Sequence, residues 1–218
     1  MKVRSHLALI SFLAVISLVS GCATHRSKPD AISSCCATNL PPPVLEAVAP
    51  VAVLPGKSIY QIDSTWTTDT SHPLKLAALR GRPQIVAMFF TSCQNACPIT
   101  VSDMKRIEAA LPEAVRERVG FALISFDPER DTTAALHAYR LRRSLDPARW
   151  TLLRGESADV AELAARLGMK YRNGARGQFG HSNIITVLNA DGEIIHQQIG
   201  LNSNIEEMVT MVKQIAAR

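Results

Sequence analysis

The chain has 218 residues, a formal net charge of +5 and 47% hydrophobic residues. That length fits one or two domains, and the scattered positive charge forms no basic stripe interleaved with aromatics, which argues against a nucleic-acid partner. The cysteines are Cys22, the adjacent Cys35-Cys36 and the close pair Cys93 and Cys97. A framework of structural disulfides needs cysteines spread through a fold, so these pairs point to reactive thiols or metal ligands.

The chain opens on a targeting segment. Lys2 and Arg4 form a charged start, and residues 7–19 are apolar but shorter than a membrane span requires. The segment ends in Val19-Ser20-Gly21-Cys22, which resembles the lipobox of bacterial lipoproteins. The resemblance implies that residues 1–21 are a signal peptide and that Cys22 becomes a lipidated N-terminus. The protein would then be exported and lipid-anchored to a bacterial membrane, facing the periplasm or cell exterior, where disulfides persist. Ala23, in place of Asp, leans towards an outer membrane. Residues 22–55 form a linker rich in proline and small residues, and Cys35-Cys36 within it reads as an incidental thiol pair.

A folded domain is expected over residues 56–218. Residues 58–62 alternate as a short strand, and residues 64–68 and 73–76 read as a hairpin through Asp69-Thr70-Ser71. A turn at Arg80-Gly81-Arg82-Pro83 delivers the chain into a continuous apolar run at 84–90, a buried strand. The segment 99–108 reads as an amphipathic helix, followed by a short helix at 112–116 and a second buried strand at 119–126. Asp131 or Thr132 is placed to cap a helix over 133–145. A strand at 150–153 leads to a helix at 157–167, with Ser157 at its cap and Val160, Leu163, Ala164 and Leu167 on one face. Residues 170–180 read as a Gly- and Arg-rich loop, 184–188 and 193–199 as a hairpin about Asn189-Ala190-Asp191-Gly192, and 205–217 as a closing helix. Strands alternating with helices predict an α/β fold, a central mixed sheet flanked by helices with an N-terminal β-hairpin extension. Ligands of such sheets gather at the carboxyl ends of the parallel strands, where both the cysteine pair and Asp127–Asp131 fall.

Cys93 and Cys97 lie at a strand-to-helix turn, which leaves thiols accessible and beside an electropositive helix N-terminus that favours thiolates. Thiolates exchange disulfides and bind soft metals, and the pair alone does not choose between these. The central strand, the cysteines at a helix start and the late hairpin resemble the thioredoxin fold. Two departures stand out: three residues, Gln94-Asn95-Ala96, separate the cysteines, and His181-Ser182 occupies the place of the cis-proline that faces the thiols in thioredoxin-type reductants. Two thiolates and an imidazole suit copper in either oxidation state, whereas zinc would want a fourth ligand. Asp127, Glu129 and Asp131 read as loop-shaping groups, His72, His137 and His196 as surface groups, and Met88, Met104, Met169, Met208 and Met211 as core filling.

Cys93-x-x-x-Cys97-Pro98, Ser125-Phe126-Asp127-Pro128-Glu129-Arg130-Asp131-Thr132 and His181-Ser182, in that order, resemble the Sco/SenC family of copper-binding assembly factors for cytochrome c oxidase. The resemblance implies a thioredoxin-like domain whose copper ligands are Cys93, Cys97 and His181. It implies a chaperone, without turnover, that delivers copper to the oxidase's copper-bearing subunit or another acceptor and depends on a thiol reductant. The chain departs from the common family pattern at Gln94, Asn95 and Gly180. An extracytoplasmic thiol–disulfide oxidoreductase using Cys93 and Cys97 as its redox pair is the alternative. A peroxide-reducing enzyme ranks last, because Thr91-Ser92-Cys93 lacks the Thr-x-x-Cys spacing.

Overall fold

The computed structural model describes residues 56–173 and 179–217. The targeting segment, the linker, Cys22 and Cys35-Cys36 lie outside the described residues.

The first expected strand is absent. Residues 58–62 make a 3₁₀ turn, Ile59–Gln61, capped by Ser58 Oγ, which accepts from the Tyr60 amide at 3.1 Å. The segment's backbone is satisfied elsewhere: the Ile59 amide donates to the Gly192 carbonyl at 3.0 Å, so no strand partner is needed. Gly192, at φ 83°, brings its backbone against the Tyr60 ring, where a Cβ would lie 2.5 Å away.

The expected hairpin forms from β1 (Thr65–Thr68) and β2 (Pro73–Lys75). β3 (Gln84–Phe89) and β4 (Gly120–Ser125) are buried at every residue, which matches their unbroken apolar runs. Between them run α1 (Ala96–Ala110), which starts three residues before the expected helix, and the short α2 (Glu113–Arg116). α3 (Thr133–Arg143) follows, then β5 (Trp150–Arg154), parallel to β4. Thr132 is the α3 cap, accepting from the Ala135 amide at 3.1 Å, which leaves Asp131 free for another role.

α4 (Ser157–Arg166) starts where expected, but Glu156 stands at its N-cap and Ser157 is already helical. The foreseen face of Val160, Leu163, Ala164 and Leu167 is buried. The segment expected as a loop contains a second small sheet, β6 (Tyr171–Asn173) paired antiparallel with β7 (Phe179–His181). Glycine and arginine hid its alternation, because its burial comes from aromatic packing on one side only. β8 (Ile184–Leu188), β9 (Ile194–Ile199) and α5 (Glu206–Ala216) close the chain as foreseen.

The main sheet runs β2-β1-β5-β4-β3-β8-β9 and is mixed: β3, β4 and β5 are parallel neighbours, β8 is antiparallel to β3. The crossovers β3–α1–β4 and β4–α3–β5 progress in one direction, so the right-handed rule puts α1 and α3 on the same face. The two helices touch there, with Lys105 Nζ donating to the Arg143 carbonyl at 3.1 Å. This topology places the end of β3, the end of β4 and the start of β8 side by side. The hairpin edge is tied to α3 by a buried pair, Arg140 donating to Asp69 from both Nε and Nη2.

Candidate metal centre

β3 delivers Phe89 and Phe90 into a turn whose first bond runs from the Cys93 amide to the Phe90 carbonyl at 3.3 Å. Cys97 lies in the first turn of α1, and its amide donates to Cys93 Sγ at 3.3 Å. The thiol thus stands where a helix start presents unpaired N–H groups. β8 runs antiparallel to β3, so the residues just before β8 arrive at the same edge, and His181 Nε2 sits 3.8 Å from Cys97 Sγ. His181 Nδ1 donates to the Ser182 carbonyl at 3.1 Å, which leaves Nε2 as the lone-pair nitrogen facing the thiols. The arm holding it is fastened at its base, where Ser182 N donates to the Lys170 carbonyl and Lys170 N donates to Ser182 Oγ, each at 2.8 Å.

Among the described residues, one donor atom from each of Cys93, Cys97 and His181 falls within 4.8 Å of the others. A trigonal first-row metal with a thiolate at ~2.3 Å and an imidazole at ~2.0 Å separates those two donors by about 3.7 Å. The 3.8 Å between Cys97 Sγ and His181 Nε2 accommodates such an ion with little movement.

The thiols are more enclosed than a strand-to-helix turn suggests. Cys93 is 9% exposed and Cys97 1%, and His181 at the end of β7 packs against Cys97. Phe90 and Phe126 form the floor, with ring centroids 5.2 Å apart, and Phe179 and His181 of β7 pack on it. These aromatics were not singled out from the sequence, although the Phe179-x-His181 alternation would place both side chains on one face of a strand. Gln94 and Asn95 lie exposed on the outer side of the loop.

Asp131 joins the two loops. Its carboxylate accepts from the Thr91 amide at 3.0 Å, from Thr91 Oγ1 at 2.5 Å and from Ser125 Oγ at 2.6 Å, while Arg154 Nε donates to its carbonyl at 2.9 Å. Asp127 is held by Arg130 at 2.6 Å. The other histidines lie elsewhere: His72 meets Thr70, His137 faces Asp69 and His196 faces Glu207. Met88, Met104, Met169 and Met208 are buried core residues.

The two thiols are free and chemically unequal. A hydrogen bond from the Cys97 thiol, aided by the Cys97 and Asn95 amides, outweighs burial and holds Cys93 down at about 4. Cys97 is pushed far up, first by donating to Cys93 and then by burial. The pair therefore keeps one proton, on Cys97, over most of the pH range. Alkylation of Cys93 by iodoacetamide should rise through an inflection near pH 4 and be flat above it. Near pH 6 it should run roughly three- to tenfold faster than an ordinary thiol, the thiolate gain being partly offset by lower intrinsic nucleophilicity. Peptide mass spectrometry over a pH series reads this, and an inflection near pH 9 would contradict the assignment.

The fold and site define a thioredoxin-like domain carrying two cysteines and a histidine placed to hold a soft metal or to exchange disulfides. The SCO1/SenC family model matches residues 56–217, and the chain belongs to that family. A Stutzerimonas stutzeri protein named for copper binding is 30% identical over 151 residues, covering 67% of this chain and 72% of that protein. The fold is shared with a SCO1/SenC family lipoprotein from Bacillus anthracis, at TM-score 0.64 and 22% identity over 70% of this chain and 92% of the other. It is shared equally with Arabidopsis thaliana ScoI, a structure with copper bound, at TM-score 0.61 and 21% identity over 71% and 97%. No helix among the described residues is long and apolar enough to cross a membrane.

Proposed function

We propose that this protein is a copper chaperone that holds the ion on Cys93, Cys97 and His181 and passes it to the binuclear copper centre of cytochrome c oxidase. The observation that carries this reading is the convergence of two sulfurs and one imidazole nitrogen within 4.8 Å. Thiolates select Cu(I), and the imidazole also accommodates Cu(II). Loading requires the Cys97 proton to leave, so binding releases a proton and weakens in acid. With three donors the ion stays open to an incoming thiolate of the acceptor, and exchange proceeds one ligand at a time without a change of oxidation state. A thiol reductant would keep Cys93 and Cys97 available. In this reading residues 1–21 are removed, Cys22 carries lipid, residues 22–55 tether the domain, and the chain is exported and works at a bacterial membrane. Membership of the family, a relative named for copper binding and a family lipoprotein with the same fold support it.

The unequal thiols favour a second reading, reduction of a partner's disulfide by Cys93 with Cys97 completing the exchange. Titration of the reduced chain with Cu(I) against a chromophoric chelator separates the two. One tight copper per chain, weakened about tenfold or more by His181→Ala and by Cys93→Ser, is the chaperone result, since each lost ligand removes at least 1.4 kcal/mol. Weak binding indifferent to His181→Ala would leave thiol–disulfide exchange as the function.

A further inference from the structure

The copper-site face carries cations that the fold leaves without carboxylate partners. On α1 and α3 the pattern is sharply divided. Arg106 is paired with Asp103 and Arg140 with Asp69, whereas Lys105, Arg142 and Arg143, on the same two helices, meet no carboxylate among the described residues. Arg142 and Arg143 instead lie over the Tyr139 ring, 5.6 and 5.5 Å from its centroid, which fixes their charges at the surface. These three cations line a recess of about 300 Å³ with Pro98, the residue directly after Cys97. A second recess of about 350 Å³ is lined by His181 together with Lys170 and Arg172, also without carboxylate partners. The thiols and the imidazole therefore lie between two cationic rims, one reached through Pro98 and one through His181. Against them stands one exposed acid on the neighbouring loop, Glu129, since Asp127 is taken by Arg130.

We infer that these two rims are a docking surface for a protein partner with an acidic face, which they orient over Cys93. Like charges held close without counter-charges raise the local potential, and a partner of opposite sign lowers it while being steered to the site between them. A protein fits better than an anionic bilayer, because a flat membrane spanning both rims would lie across His181 and close the site to any acceptor. The inference rests on the reading that a partner comes to these thiols, whether to take copper or to exchange a disulfide.

The probe is an acidic ten-residue peptide with one cysteine activated as a pyridyl disulfide, compared with its Glu→Gln counterpart. In the reaction the Cys93 thiolate attacks the peptide sulfur, and pyridine-thione leaves with the electron pair. The measured quantity is the rate at which Cys93 of the reduced full chain loses its free thiol. At low salt the acidic peptide should react about tenfold faster than the neutral one, with the ratio falling as salt rises. Arg142→Glu with Lys105→Glu, and separately Arg172→Glu, should each reduce that ratio while leaving the neutral-peptide rate unchanged, the sign that Cys93 is undisturbed. A ratio near one, or a ratio insensitive to both sets of reversals, overturns the inference. So does sedimentation of the chain with phosphatidylglycerol vesicles that the reversals abolish while the peptide ratio stays near one. No copper is used, so failure of the copper reading leaves this result standing.

Discussion

Asp131→Ala is expected to cost about 2–4 kcal/mol of stability and to weaken Cu(I) binding at a site that Asp131 does not touch. The carboxylate has no exposed surface and takes three donors: the Thr91 amide, the Thr91 hydroxyl and the Ser125 hydroxyl. Removing it leaves buried donors unmet, at about 1–3 kcal/mol for each that finds no water. Thr91 stands two residues before Cys93, so the loop that sets the Cys93–Cys97 geometry loses its tie to the β4–α3 loop. Burial pushes the Asp131 carboxyl up, and the Ser125 and Thr91 donors only partly offset this. Asp131→Asn, which keeps one acceptor oxygen, should fall between wild type and Ala in both measurements. Urea unfolding and chelator competition on the same samples test this. Copper affinity unchanged in a destabilised Asp131→Ala protein would remove the positioning role and leave a structural one.

Asp69→Ala should be the most damaging single change away from the site, at about 3–5 kcal/mol, because it strands a buried guanidinium. Arg140 is 7% exposed and donates to both Asp69 oxygens, at 2.5 and 2.7 Å, and to the Trp150 carbonyl at 2.9 Å. Without Asp69 its charge has no counter-ion, and the β1–β2 edge loses its tie to α3. The expected fall in Tm is roughly 10 °C. The effect should depend on pH. Burial pushes the Asp69 carboxyl up, but Arg140 and His137 more than offset it and hold it below the ordinary 3.8. A lowered pKa means that the folded state holds fewer protons than the unfolded chain around that value. The stabilisation is therefore full above pH 3.8 and is lost as pH falls through the lowered value. The gap in stability between wild type and Asp69→Ala should narrow in acid, and a gap constant with pH would assign the loss to packing.

Much of this molecule is decided by local sequence. The apolar runs of β3 and β4, the helical stripe of α4, the turn at Asn189 to Gly192 and the family likeness were all readable, because each depends on neighbours along the chain. The grouping of Cys93, Cys97 and His181 came from the resemblance to the thioredoxin fold and to the family, and the structure places one donor atom of each within 4.8 Å of the others. Other features required the tertiary structure. Residues 58–62 alternate like a strand, yet the β8–β9 turn takes their hydrogen bonds and leaves a 3₁₀ turn. Residues 171–173 and 179–181 lack a strand's apolar alternation, yet they pair, and Phe179 and Tyr171 pack against Phe126 from elsewhere in the chain. The thiols expected to be open are buried. Asp131, as eligible a cap as Thr132, is drawn off by Thr91, forty positions away in sequence. The order of strands and helices along the chain determined that the cysteine loop and the Asp127–Asp131 loop meet at this edge. How deeply they are buried depended on side chains distant in sequence, because burial is a property of the packed neighbourhood and not of the segment.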